Sequence, residues 1–320
     1  MEFKQAIITA FMGKLRDRFC EYNVARTPEE KIAAVASVEG AQGVEIIFPY
    51  ECEDFEGVKA SLKKHNLGVA AVNVNIKAEP EFAVGSSSVN EKALRDKAVQ
   101  FIRDGMDAAA ELGADKVTCC PLSDGYDYLF QANYIEAWKN MVSTFKAAAS
   151  HRKDILLFLE YKGSEPRVQC YLDTAAKTIC MIRDIDEPNL GVTIDVGHSL
   201  LVGETVAESV CLAQFSGIPY YIHINDNNRK WDWDLIPATR NLWDYLELFF
   251  YLKEFNYQGW VTSDMAPMRL DPVAAFERTI AITNKMVDIV NGMDSEKIFS
   301  MMREGKTLET IKWLEENVLR

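Results

Sequence analysis

The stretch ILLFLEYKGSEPR (155–167) runs five apolar residues, Ile155 to Leu159, straight into Glu160, Tyr161 and Lys162. A continuous apolar run of this length is the pattern of a strand buried on both faces, as in parallel sheets covered by helices. Ending such a strand with a carboxylate and an ammonium is costly unless each finds a partner. Glu160 and Lys162 are two apart, so they face the same side of the strand. The partner has to come from elsewhere in the chain.

Outward from this stretch the same unit repeats. Strands are expected at 6–11, 43–49, 68–75, 115–121, 155–162, 190–198, 220–226 and 259–265. Amphipathic helical segments follow them at 27–38, 55–66, 91–113, 133–152, 172–185, 205–215, 242–256 and 272–293. Thr27 and Pro28 supply a cap and a first helical residue for the earliest of these helices. Alternating β and α segments imply a parallel sheet. Eight such units predict an α/β protein with a single closed (β/α)8 barrel over residues 1–293, which typically needs about 250 residues. An open doubly wound sheet is the alternative, but no glycine fingerprint follows an early strand. Residues 294–320 are expected as a C-terminal helical extension packed outside the barrel or on a partner.

The 320 residues are 48% hydrophobic, ample for one large core. The formal charge is −13, from 48 acidic and 35 basic residues, which argues against nucleic acid as a ligand. Seven cysteines without a repeating spacing make a poor disulfide framework and point to a reducing compartment. The N-terminal stretch lacks a basic region ahead of its short apolar segment, and no apolar run approaches membrane-spanning length. A cytoplasmic protein without membrane contact is the expectation.

Functional groups of a (β/α)8 barrel gather at the C-terminal ends of its strands. There the fifth strand offers Glu160 and Lys162, the sixth Asp195 and His198, the seventh His223 and the eighth Asp264. Four carboxylate and imidazole groups converging without a cation would repel one another. Glu160, Asp195, His223 and Asp264 together make a hard, oxygen-rich set suited to Mn²⁺ or Mg²⁺, with Co²⁺ or Zn²⁺ as further candidates. The competing reading makes Glu160 a partner of Lys162 alone, Asp195 a turn residue and His223 a satisfied core histidine. His65 and His151 fall at helix C-termini, where the dipole and the surface account for them. After the seventh strand, Asp232 and Asp234 flank Trp233, beside Trp231; this loop is a candidate for a second cation or for stacking on a ring. Asp124 and Tyr126 after the fourth strand and Arg269 after the eighth are further candidates for substrate contact.

These residues resemble a known family. Glu160-Tyr161-Lys162-Gly163-Ser164-Glu165-Pro166 resembles the E-x-K-x-x-E-P stretch of xylose isomerases, and Asp195-Val196-Gly197-His198 resembles their acid-x-x-His. His223 with Asp232-Trp233-Asp234, and Gly259-Trp260 with Asp264, resemble the second-metal loop and the last strand of that superfamily of barrels. The resemblance implies that Glu160, Asp195, His223 and Asp264 hold a structural metal. It implies that Lys162 polarises a sugar carbonyl. His198 with Asp232 and Asp234 would hold a second metal or transfer protons. Glu160, Lys162 and His198 are the three candidates for the general base. The chain departs from the aldose isomerases on its early strands, which offer Glu45, Asn73 and Asn75 where those enzymes carry a His–Asp pair. It departs from the sugar 3-epimerases in having Asp264 where they have glutamate. DGYDYLFQ, EYKGSEPR, the WDWD loop and SDMAP resemble most the barrel subunits of bacterial C-glycoside deglycosidases. That likeness implies carbon–carbon bond cleavage in a 3-oxo-C-glycoside and a smaller β-sandwich partner subunit. The alternative is an aldose–ketose isomerase or 3-epimerase.

Overall fold

A computed structural model describes residues 1–319. Its eight main strands are β1 (Lys4–Ile8), β2 (Gly43–Phe48), β3 (Gly68–Val74), β4 (Lys116–Cys119), β5 (Leu156–Glu160), β6 (Leu190–Asp195), β7 (Tyr220–Ile224) and β8 (Trp260–Ser263). They pair in parallel around a closed barrel in chain order, with β8 returning to β1. The (β/α)8 expectation therefore holds. Helices α1 (Pro28–Ala36), α2 (Phe55–His65), α3 (Lys92–Glu111), α4 (Tyr134–Ala149), α5 (Ala175–Ile185), α6 (Val196–Leu201), α7 (Val206–Ser216), α8 (Leu242–Glu254) and α9 (Pro272–Asn291) accompany the strands; α10 (Ser295–Arg303) and α11 (Thr307–Val318) follow. No described helix is long and apolar enough to cross a membrane. Thr27 and Glu30 form a reciprocal capping box ahead of Pro28, which is why α1 starts where it does.

Of the boundaries that differ from the sequence expectation, two have a cause in the hydrogen bonding. β1 stops at Ile8, and Thr9–Met12 is a 3-10 turn. The Thr9 hydroxyl donates to the Glu45 carbonyl and meets the Glu51 carboxylate, which draws the chain off the strand. β6 stops at Asp195, and Val196-Gly197-His198 opens α6. Asp195 ends the strand by capping that helix, accepting from the His198 amide at 2.9 Å.

The pleat of β5 explains its apolar run. Leu157, Leu159 and Tyr161 join the core between barrel and helices, whereas Phe158 turns inward against Ala71 and Tyr221. Phe158 and Tyr221 meet edge to face at 6.0 Å, and Gly191 leaves room for Phe158; a Cβ there would lie 2.5 Å from its ring. This plug fills the lower barrel. The next inward position on β5 is Glu160, above the plug and facing the mouth.

Candidate metal centre

Asp195 and His223 lie side by side in the β6–β7 register. With Glu160 from β5 and Asp264 just after β8, they bring four ligand atoms to within 4.8 Å of one another. Glu160, Asp195 and His223 are buried. The positions of these side chains follow from β-strand alternation at four successive strand ends.

Two observations test whether this cluster fits a cation. His223 Nε2 lies 3.0 Å from Glu45 Oε2, while its Nδ1 lies 3.3 Å from Asp264 Oδ2 and 3.7 Å from Glu160 Oε2. That buried Nδ1 has no hydrogen-bond partner. An unpartnered imidazole nitrogen facing carboxylates, with its other nitrogen tied to a carboxylate, is the arrangement of metal-ligating histidines. The charges agree. Burial raises the Asp195 carboxyl to about 7, and Asp264, Glu160 and Asp232 beside it add to that rise while His198 opposes it. Burial works against a charge on His223, yet Glu45 and Glu160 hold its pKa well above the ordinary imidazole value. A divalent cation held here would supply the positive charge that offsets these carboxylates. Oxygen donors with one imidazole suit Mn²⁺ or Mg²⁺.

Asparagine and glycine complete the surround. Asn225 donates to both Asp195 oxygens, at 3.1 and 2.8 Å. Gly197 passes so close that a Cβ would fall 1.9 Å from Asn225 Oδ1.

Beside the cluster runs a line of alternating charge. His198 Nδ1 is 3.2 Å from Glu160 Oε1, and its Nε2 is 3.2 Å from Asp232 Oδ2. Lys162 Nζ is 2.9 Å from the same Asp232 oxygen and 2.5 Å from Glu165 Oε1. Burial disfavours the Lys162 ammonium, but Asp232 and Glu165 raise its pKa above the usual lysine range. Burial likewise disfavours the Asp232 carboxylate, and His198 and Lys162 outweigh it to hold that carboxylate ionised. The charges at the end of the β5 run are thus partnered: Glu160 faces His198 and His223, and Lys162 faces Asp232 and Glu165.

Asp195, His198, Asp232 and Asp234 are the residues expected to hold a second cation or to transfer protons. Among the described residues the one assembled ligand group is the Glu160 cluster. Lys162 and His198 both lie against the Asp232 carboxylate. Asp234 stands apart at φ +46°, with burial first and then Asp232 and Asp264 raising its carboxyl well above the usual range. The loop carrying these acids is pinned by Asp226, which exchanges two backbone bonds with Leu235 and accepts from the Arg240 and Asn241 amides.

Trp231, Trp233, Leu235, Met268, Arg269 and Leu270 border Asp232 and Asp234 in a cavity of about 630 Å³. Asp17 and Tyr22, from the short hairpin after β1, close its far side; the sequence reading missed both. Asp17 accepts from the Tyr22 hydroxyl at 2.7 Å. Asp124, a candidate for substrate contact, is fully buried. Its buried carboxylate accepts from the amides of Ser86, Ser87 and Ser88 at 3.2, 2.9 and 2.6 Å, anchoring that loop to the segment after β4. Tyr126 packs on Tyr134 and Tyr171 and lines a separate groove with Arg167 and Gln169.

A barrel with one histidine and three carboxylates at its mouth belongs to a broad class of (β/α)8 proteins. The chain belongs to the xylose isomerase-like TIM-barrel family, whose model matches residues 32–305. It is 31% identical over 214 residues to the uncharacterized protein MJ1311 of Methanocaldococcus jannaschii, covering 66% of this chain and 69% of that one. It is 26% identical over 207 residues to the xylose isomerase of Thermus thermophilus, covering 63% of this chain and 54% of that enzyme. It thus spans about half the length of the isomerase. Among solved structures, a D-tagatose 3-epimerase-like protein superposes with a TM-score of 0.70 at 23% identity, over 90% of this chain and 98% of that one, a likeness of fold.

Proposed function

We propose that this protein is a divalent-metal-dependent enzyme that removes a proton beside the carbonyl of a keto-sugar, and that its substrate is a 3-oxo-C-glycoside. The observation that carries the choice of substrate is the cavity beside Asp232 and Asp234. A free ketose presents hydroxyls all round. Trp231, Trp233, Leu235, Met268 and Leu270 instead offer apolar surface, and the cavity of about 630 Å³ has room for an aromatic aglycone beyond the sugar. The resemblance of EYKGSEPR and the WDWD loop to deglycosidase barrel subunits supports the same reading.

When bound at Glu160, Asp195, His223 and Asp264, Mn²⁺ or Mg²⁺ supplies Lewis-acid stabilisation of negative charge on a substrate oxygen. The chain's own residues do the rest. His198, in its neutral form, takes the proton from C2 of the sugar, with Asp232 holding His198 on one side and Lys162 on the other. Lys162, kept as an ammonium by two carboxylates, orients and donates. Loss of the C2 proton leaves an electron pair that forms the C1–C2 double bond as the C1–aryl bond breaks. The aryl carbon takes up a proton, and the sugar leaves as the unsaturated 3-oxo product. No oxidant is consumed. A smaller β-sandwich subunit is part of this reading. The exposed Tyr128, Leu129 and Phe130 are surface for it to cover.

The second reading, aldose–ketose isomerase or 3-epimerase, is favoured by the identity to the Thermus xylose isomerase. Purified protein loaded with Mn²⁺ separates the two. Release of free aglycone from an aryl 3-oxo-C-glycoside, with no turnover of free ketoses, is the expected result. Interconversion of free ketoses without aglycone release rejects the deglycosidase reading.

A further inference from the structure

Glu45 sits at the centre of β2, fully buried in the tier directly beneath the candidate metal centre. Its carboxylate meets four donors from three other strands. Oε1 accepts from Asn73 Nδ2 at 2.9 Å and Thr118 Oγ1 at 2.8 Å, and Oε2 from Tyr221 Oη at 2.9 Å and His223 Nε2 at 3.0 Å. Four donors fill the acceptor capacity of an ionised carboxylate, which has no proton of its own to give. The proton in the Glu45–His223 contact therefore belongs to His223 Nε2. In the neutral imidazole this leaves the lone pair on Nδ1, the buried and unpartnered nitrogen that faces Glu160 and Asp264. The Tyr221 ring, edge to face with His223 at 5.0 Å, holds the imidazole plane. All of this is supplied by strands that carry none of the four ligands, apart from β7 itself.

We infer that Glu45 is a positioning residue that fixes the His223 tautomer, so that Nδ1 is offered to the metal and its basicity is raised by the charge behind it. The inference rests on the metal-centre reading above and names what selects the ligand nitrogen. Carboxylates behind a ligating histidine typically contribute 10–100-fold in metal affinity. Glu45 touches neither the cavity nor the ligand atoms, so its effect passes through His223 alone.

The test measures Mn²⁺ binding to the full, metal-stripped chain by calorimetry for the wild type, E45Q and Y221F. E45Q is expected to weaken Mn²⁺ binding about 10–100-fold. Y221F, which leaves the Glu45–His223 bond in place, is expected to stay within about threefold, well short of that loss. In parallel, nitrogen-edited spectra of the Zn²⁺-loaded wild type report the tautomer without any variant. A slowly exchanging downfield proton on His223 Nε2, with Nδ1 unprotonated, is expected. E45Q binding Mn²⁺ as the wild type does, an equal loss in E45Q and Y221F, or a wild-type spectrum without the Nε2 proton overturns the inference. Should E45Q fail to fold, the wild-type spectrum decides. A wild type that takes up neither Mn²⁺ nor Zn²⁺ rejects the metal-centre reading itself, a result distinct from failure of the Glu45 assignment.

Discussion

The two halves of the barrel use the same inward positions differently. In β2 to β4 the inward polar residues Glu45, Asn73 and Thr118 satisfy one another, with donors matched to acceptors. At the ends of β5 to β8 the inward residues are Glu160, Asp195, His223 and Asp264, three of them acids brought within 4.8 Å with an unpartnered imidazole nitrogen between. A satisfied buried network stiffens a core, whereas an unbalanced one marks a place suited to a further charged ligand. The first half of the barrel is therefore a support for the second, and the place where charge fails to balance is the place where chemistry is expected.

The contrast can be broken most severely at a ligand. D195N keeps the α6 cap, because asparagine caps as well as aspartate, but removes a charge from the cluster. Metal content by mass spectrometry should fall to background and activity by about 10³-fold or more, with circular dichroism unchanged. Full activity in a metal-free sample would refute the scheme. K162M is the next largest. It strands Asp232 and Glu165 beside an apolar side chain, and kcat should fall about 10²–10⁴-fold while metal content is retained. Loss of metal in K162M would place Lys162 in the support rather than in the chemistry. W233A sharpens the substrate boundary. It should raise KM for an aryl 3-oxo-C-glycoside about tenfold, the scale of one aromatic contact, with kcat little changed. An unchanged KM would remove the cavity from the account. D124N is the smallest in function and belongs to the supporting side. It weakens the bonds to the Ser86–Ser88 amides, and a stability loss of about 1–3 kcal/mol in denaturant melts should leave kcat and metal content alone.

Much of the second half was legible in the chain. Glu160, Asp195, His223 and Asp264 each fall at the end of an expected strand, and the period of two in a strand assigns their face without knowledge of the neighbours. The helix at Val196–Leu201 was not legible, because the capping of His198 by Asp195 only distinguishes a turn from a strand end once the amide direction is known. Asp124 resembles a mouth residue in sequence. Its burial follows from a loop 36–38 residues earlier whose three amides close on it. Glu45 carried a signal, a single charge inside GVEIIF, but its partner His223 lies 178 residues away.

The sequence by itself determined the alternation of eight strands and helices, the identity of the acids at the strand ends and the face each presents, because these depend on local periodicity and on the cost of burying charge. Only the tertiary structure decided that Lys162 and His198 both lie against Asp232, that a hairpin after β1 closes the cavity, and that Glu45 stands behind His223. Those contacts join residues far apart in the chain, and barrel closure and register, which no local pattern encodes, set the distances between them.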